Sequence, residues 1–306
     1  MSSITVVGSV NRDFVLTVRD LPRPGETVLS RHFVEGTGGK GANQAVAAAR
    51  LGSRVRLVAR VGADGTAILG ALAAEGVDIA DVRSDERVPT GIAAVVVDSD
   101  GENTIVVNAG ANAELGVEDL PARLVRSPGE VVLVQNEIAQ DVVDAAVRSG
   151  REQGGLVVLN PAPARPASRE TLAAVDVLVP NLGELATLLG TEPPTTLDGA
   201  RALLAGAALP CRAVVVTLGA DGAILKEAHD PTITHVPAPV VNAVDTVGAG
   251  DTFCGALADA LGRGGSLAAA VERAVRAASH AVTGLGAQSS MPYAAQLDVP
   301  AVTTAS

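Results

Sequence analysis

Short runs of Val, Ile and Leu, each about the length of one buried strand, recur along this chain and alternate with segments rich in good helix formers. The runs lie at residues 4–7, 55–61, 131–134, 156–159, 177–179 and 213–217, and the helix-like segments at 42–51, 67–74, 141–148, 182–189, 252–261 and 267–282. Strands that are apolar without alternation must be covered on both faces, and the intervening helices supply that cover. The pattern therefore calls for βα units around a mostly parallel sheet.

One stretch breaks the rhythm. Residues 91–97 and 104–107 are apolar runs flanking Asp98-Ser99-Asp100-Gly101-Glu102-Asn103, a turn-forming segment, so they read as an antiparallel hairpin. With residues 14–18 and 27–33 the hairpin can form a small separate sheet, a β lid built from segments 14–35 and 90–108 of a single domain spanning 1–306. The 306 residues approach the upper size for one hydrophobic core, and disorder is expected at 303–306.

Composition narrows the function. Apolar residues make up 47% of the chain and aromatics 1%, so its interior is aliphatic. A net charge of −11 argues against a nucleic-acid or anionic-membrane surface. The two cysteines, Cys211 and Cys254, stand in no C-x-x-C spacing and have no His cluster around them, so neither a disulfide framework nor a zinc site is indicated and a reducing cytosol fits best. The first residues lack the basic start of a secretion signal, and no apolar run approaches the roughly 20 residues of a membrane span.

Three segments carry chemistry. Ala243 to Phe253 is a small-residue turn opening into an Ala/Leu helix, so the amides from Gly248 to Asp251 are free to hold phosphoryl oxygens. Asp251 beside them either caps its helix or takes the proton of an attacking hydroxyl. Gly36 to Gly41 matches G-x-G-x-x-G but lacks a well-formed preceding strand, and Arg60-Val61 stand where the ribose-binding acid of a dinucleotide fold belongs. Nor is it a Walker A loop, because Gly41 follows Lys40; the glycines either serve a ligand or pack a turn against the sheet. Asn11 and Asp13 project from one side of an extended segment, where they could grip vicinal hydroxyls or simply be surface polarity.

Together the segments resemble the ribokinase/PfkB carbohydrate kinase family, from Gly8 to Pro292. The likeness rests on Gly8-Ser9-Val10-Asn11-Arg12-Asp13, Pro24-Gly25-Glu26-Thr27, Gly38-Gly39-Lys40-Gly41-Ala42-Asn43-Gln44-Ala45 and Thr90-Gly91. It continues through Asn108 to Asn112, Asn160 to Arg165, Pro180-Asn181, Thr217-Leu218-Gly219 and Asp245 to Phe253.

The resemblance implies an α/β fold of the ribokinase-like kind, a three-layer α/β/α sandwich with a small β-sheet lid. It implies Asp251 as general base with Gly248, Ala249 and Gly250 as anion hole. Asn11, Asp13, Gly39, Lys40, Gly41, Ala42, Asn43, Glu137 and Asp251 itself would hold the sugar. Asn181 and the segment Thr217, Leu218, Gly219, Ala220, Asp221 and Gly222, with Gly250, would bind ATP. Glu184 would reach magnesium through water, while Asp245, Val247, Ala281, Gly284, Gly286 and Ser290 would hold an activating potassium ion.

The implied reaction is ATP-dependent phosphorylation of a sugar, at O5 of ribose, by a cytoplasmic homodimer joined through its lid. Fructose, deoxyribose or a nucleoside are the alternative acceptors, and a non-catalytic sugar-binding homologue the alternative role. Three Phe and one Tyr leave little surface for a nucleoside base. Asn181-Leu182-Gly183-Glu184 departs from the family's N-E-T-E, and Val275 stands where a polar residue often meets the nucleotide. His280 reads as a helix-surface or packing residue.

Overall fold

The apolar runs lie buried between helices in the computed structural model, which describes residues 2–99 and 102–297. β1 (Ser3–Val7), β2 (Asn11–Thr17) and β3 (His32–Gly38) lead into α1 (Lys40–Arg50), β4 (Arg54–Gly62), α2 (Thr66–Ala74) and β5 (Val77–Asp85). The hairpin β6 (Gly91–Val97) and β7 (Asn103–Asn108) comes next. The alternation then resumes with β8 (Val131–Gln135), α3 (Gln140–Glu152), β9 (Leu156–Asn160), α4 (Arg169–Ala173), β10 (Val177–Leu178), α5 (Leu182–Leu189), α6 (Leu197–Gly206) and β11 (Ala213–Thr217). It closes with β12 (Ala223–Glu227), β13 (Thr234–Val236), α7 (Ala249–Gly262), α8 (Leu267–Ala281) and the short α9 (Ala287–Ser290).

Nine strands form the main sheet in the order β13-β12-β11-β10-β9-β8-β1-β4-β5, parallel except where β12 pairs with β11 and β13. One core packs α1, α2, α7 and α8 on one face, and a second packs α3 to α6 on the other. This is the three-layer arrangement expected. Leu57, Leu133 and Leu159 are at most 1% exposed, and burying each stabilises the fold by about 1.5–3 kcal/mol.

β5, β12 and β13 escaped the reading of apolar runs. β5 sits at the sheet's edge and mixes Asp, Arg and Ser with its apolar residues, so no continuous run marks it. β12 and β13 are short antiparallel additions at the other edge.

The second sheet has the order β3-β2-β6-β7. Its strands differ from the segments read in sequence: β2 begins at Asn11, and residues 27–30 belong to no strand. Register marks where the ladder stops: β2 pairs Asn11 with Gly38 and Thr17 with His32, and the Arg31 amide still donates to the Thr17 carbonyl at 2.7 Å as the chain enters β3. The hairpin turn falls partly on residues 100–101, and 303–306 likewise lie outside the described residues.

Two contacts fix α7, the helix that carries Asp251. A Cβ on Gly255 would meet Ala47 Cβ at 2.6 Å and the Gln44 carbonyl oxygen at 2.7 Å, so only glycine lets α1 and α7 approach this closely. Further along, fully buried Asp259 accepts from Ser2 and Ser53 hydroxyls at 3.2 and 2.7 Å, tying α7 to the start of the sheet. Asp251 and Gly255 share a helix face, so the close approach at Gly255 brings Asp251 against the first turns of α1.

Candidate active site

The site forms at the carboxyl ends of the parallel strands, where open α/β sheets bind ligands. Gly8 and Ser9 follow β1, Gln135 ends β8, Asn160 ends β9, Asn181 follows β10 and Thr217 ends β11. The second sheet rises from the same edge, since β2 continues directly from β1 and β3 runs into α1 through Gly39.

Asp251 is 7% exposed, in the first turn of α7. Its carboxylate does not cap that helix: Asn43 Nδ2 donates to Oδ2 at 2.9 Å and Gln44 Nε2 donates to Oδ1 at 3.0 Å. Both oxygens are thus engaged by side chains of α1, which removes capping as the explanation for a carboxylate at this position. Asn43 is oriented in turn by Gln288 on α9, whose Nε2 donates to Asn43 Oδ1 at 2.9 Å.

Gly248 adopts φ 76° at the helix start, a left-handed conformation that suits glycine. The amides of Gly248, Gly250 and Asp251 meet no acceptor among the described residues, so they can receive an anion. Ala249 corrects the sequence reading of four free amides, because its N–H donates to the Thr246 carbonyl at 3.2 Å. The turn needs that bond to close before the helix begins.

A cleft of about 590 Å³ contains Lys40, Asn160, Asn181, Glu184, Gly248, Gly250 and Asp251. Asp251 above all, then Glu137 and Glu184, holds the Lys40 ammonium above the usual lysine range against the opposing effect of burial. Burial pushes the Glu184 carboxyl up, and the Asn181 amide opposes that. Asn181 and Glu184 cap α5 reciprocally at 2.8 Å in each direction. Cys254 also borders the cleft, but burial holds its thiol well above the usual range, as it pushes Cys211 to about 11.

The proposed sugar residues gather on the lid side. Asn11 is 4% exposed and its Oδ1 accepts from Asn112 Nδ2 at 2.7 Å, which leaves the Asn11 amide nitrogen as the group offered to a ligand. Asp13 Oδ1 is buried without a hydrogen-bond partner. Burial, then the charges of Glu137 and Asp251, pushes the Asp13 carboxyl up to about 6. Surface polarity does not describe this pair. Glu137 Oε2 accepts from Ser9 Oγ at 2.6 Å and from the Lys40 amide at 3.0 Å.

In the Gly-rich turn, close packing accounts for Gly41, where a Cβ would lie 2.5 Å from the Ser9 nitrogen. Gly39 takes φ 86°, and the Ala42 amide donates to the Ser9 carbonyl at 2.9 Å.

A second cleft of about 650 Å³ joins the first at Asn181 and Thr217 and includes Leu218, Gly219 and Asp221. Pro194 to Leu197 and Ala200 form its other wall, and no motif marks those residues in the sequence. Ala220 is exposed outside the lining, and Gly222 is buried with its Cβ position 2.1 Å from the Val236 carbonyl oxygen, so it serves the β12–β13 junction.

The residues expected to hold potassium converge from two loops. Asp245 Oδ2 accepts from the Gly286 amide at 2.8 Å and Oδ1 from the Val247 amide at 3.0 Å. Ser290 Oγ donates to the Gly286 carbonyl at 2.6 Å, and the Gly284 amide donates to the Ala281 carbonyl at 3.3 Å. One carboxylate among neutral oxygens suits a hard monovalent cation. Among the described residues no three His, Cys, Asp or Glu cluster to hold a metal. Glu184 lines the cleft beside Asn181, where it could reach a magnesium ion held mainly by phosphate and water.

Gln44, Gln135, Asn160, Asn112 and Gln288 were not read from sequence as site residues. A signal existed for two of them, since Gln135 and Asn160 are polar side chains ending otherwise apolar strands.

Residues 1–294 match the model of the pfkB family of carbohydrate kinases. A ribokinase of Bacillus subtilis (strain 168) is 39% identical over 299 residues, covering 95% of this chain and 97% of that protein. A deoxyribokinase of Salmonella typhi is 37% identical over 304 residues, covering 96% and 97%. The structure of Arabidopsis thaliana ribokinase complexed with ribose and ATP superposes with a TM-score of 0.87 at 34% identity, covering 97% of each chain.

Proposed function

The chain belongs to the pfkB family of carbohydrate kinases, and we propose that within it this protein phosphorylates D-ribose with ATP, giving D-ribose 5-phosphate and ADP. The observation that carries the reading is a buried carboxylate, Asp251, held by two amide donors beside amides that have no acceptor of their own.

Asn11 and Asp13 grip the sugar hydroxyls from β2, and Glu137 and Lys40 approach from the sheet side. Asp251 takes the proton of the attacking hydroxyl. That oxygen forms its bond to the γ-phosphorus as the bridging P–O bond breaks, and the electron pair leaves with ADP. The amides of Gly248 and Gly250 and the Lys40 ammonium stabilise the charge on the transferring group. Glu184, through water, and Asn181 would hold a magnesium ion, which when bound would supply further neutralisation of the phosphate charge. ATP lies along the cleft from Gly250 past Asn181 to Thr217, Leu218 and Gly219. The second sheet acts as a lid, and its closure excludes the water that would otherwise accept the phosphoryl group.

An ATP-consumption assay over pentoses, hexoses and nucleosides tests the reading, with ribose expected to give the highest kcat/KM and 2-deoxyribose the informative competitor. Preference for a nucleoside, or no turnover with any acceptor, overturns it.

Asp13 predicts a pH dependence. Its carboxyl, raised to about 6 in the free protein, accepts from sugar hydroxyls with both oxygens only when ionised, because protonation turns one of them into a donor. KM for ribose therefore rises as pH falls below about 6, by up to about tenfold per unit for one proton, and Asp13→Asn flattens the profile. The folding linkage has the opposite sense: a raised carboxyl favours the folded state fully below the unfolded value near 4, and that contribution is lost as pH rises through about 6.

The Asp245 loop supports activation by potassium. Turnover is expected to be higher in potassium than in sodium, and Asp245→Ala to abolish the difference; equal rates in wild type remove the site.

Val106 and Phe33, on the two edge strands of the lid, share one face and are 66% and 57% exposed, while Val34 and Val107 point to the opposite face. Such a face supports a homodimer formed through the lids, and the two free, buried cysteines support a reducing, cytosolic location. Light scattering should report a dimer that Val106→Asp with Phe33→Asp converts to monomer; a monomeric wild type rules the assembly out.

A further inference from the structure

We propose that Gln44 is a positioning residue for the general base, set in its one working orientation by a chain of buried amides that starts at a backbone carbonyl. The inference rests on the kinase reading above and concerns a residue outside the sugar, nucleotide and anion contacts.

Primary amides can turn by half a rotation at little covalent cost, so which end faces a carboxylate must be decided by neighbours. Here the decision begins with Val179, whose carbonyl accepts from Asn160 Nδ2 at 2.8 Å and cannot turn. Asn160 must then present Oδ1 to Gln44, which meets it with Nε2 at 3.1 Å. The second proton of the same Nε2 points at Asp251 Oδ1, 3.0 Å away. Gln44 Oε1 is left to accept from Gln135 Nε2 at 2.7 Å. Turning Gln44 over would set its oxygen against two acceptors and its nitrogen against a donor.

The arrangement leaves one buried polar atom unsatisfied. Gln135 Oε1 has no hydrogen-bond partner, although the side chain is fully buried. It packs against Gly8, where a Cβ would lie only 2.0 Å from it. A fold that keeps such an orphan is holding Gln135 for the direction of its N–H rather than for stability. Gln135 and Asn160 are register partners at the ends of β8 and β9, so the sheet itself sets their spacing under Gln44.

The chemical consequence concerns Asp251. With Oδ2 held by Asn43 and Oδ1 by Gln44, the carboxylate plane is fixed before substrate arrives, and the lone pair facing the cleft is the one left for the hydroxyl proton. The charged and titratable groups around it, Lys40 on α1, Asp13 on β2, Glu184 on α5 and Cys254 on α7, act on Asp251 through space and do not fix its plane.

Steady-state kinetics of Gln44→Met and Gln44→Glu, run beside wild type with ribose and ATP, test the assignment. Gln44→Glu keeps the shape and the acceptor for Gln135 but sets a second carboxyl 3.0 Å from Asp251 Oδ1, which exchanges a neutral donor for a group that competes with the base for its proton. Both variants are expected to lose about 10–100-fold in kcat, the span found for outer partners that orient metal ligands, with KM for ribose within about threefold of wild type. Wild-type kcat in Gln44→Glu, or a loss confined to KM, overturns the proposal. If neither variant folds, Gln135→Met decides: lower kcat at unchanged KM supports the relay, and unchanged kcat overturns it. Wild type inert toward every sugar defeats the kinase reading and this inference with it, whereas active wild type with unaffected variants defeats this inference alone.

Discussion

Asp251→Asn is expected to lower kcat by about 10²–10⁴-fold, the span for a positioned general base, while ribose binding measured by calorimetry changes little. The amide is nearly isosteric but cannot accept the hydroxyl proton. It also brings a donor against Asn43 Nδ2 or Gln44 Nε2, both of which already donate to this carboxylate. That loss corresponds to about 3–5 kcal/mol of barrier. It should appear in single-turnover experiments, where product release does not contribute. A variant that retains near-native single-turnover rates removes Asp251 from the chemistry.

The anion hole gives the second large effect, and two neighbouring glycines separate its catalytic from its structural part. Gly250 has open space where a Cβ would stand and borders the cleft beside Asp251. Gly250→Ala should leave the melting temperature unchanged or slightly raised, because alanine is favoured over glycine inside a helix by about 0.5–1 kcal/mol. Its methyl group occupies the space of the transferring phosphoryl group, and kcat should fall by about 10²–10³-fold, as when an oxyanion donor is lost.

Gly248→Ala places a side chain at φ 76° and 2.9 Å from the Cα and Cβ of Ala287. The conformation alone costs roughly 1–2 kcal/mol, so this variant should lose thermal stability as well as activity. Parallel melting curves and kinetics of the two proteins check the pair. Gly250→Ala with kcat within threefold of wild type would mean that no anion binds at this helix start.

The pH profile of KM offers an independent check on the sugar side, because it depends on Asp13 and not on the helix. If the anion-hole variants lose kcat and the Asp13 variant loses the pH dependence of KM, the two halves of the site are separately assigned.

Much of the layered sheet was legible because continuous Val/Ile/Leu runs can be stable only when both faces are covered. β5 was not, since its edge position lets it carry exposed Asp and Arg, and neither were β12 and β13, whose pairing is antiparallel at the far edge. In the site, residues in glycine-flanked motifs were legible: Asn11, Asp13, Lys40, Asn43 and Asp251 all gather at the strand ends. Asn112 lies in a motif that assigns it no role, and its grip on Asn11 depends on a turn that folds back from β7.

The order of residues alone determined the alternation of strand and helix, the small-residue turn before α7 and the chemical types available for phosphoryl transfer to an alcohol, because each is a local property of neighbouring residues. Only the tertiary structure decided that Asp251 is held by α1 instead of capping its own helix, that Ala249 turns its amide away from the hole, and that Gln135 and Asn160 stand behind Gln44. Those contacts join residues up to 208 positions apart. Hydrogen bonds have directions that no spacing along the chain encodes, and they become fixed only when α1 and α7 meet at Gly255.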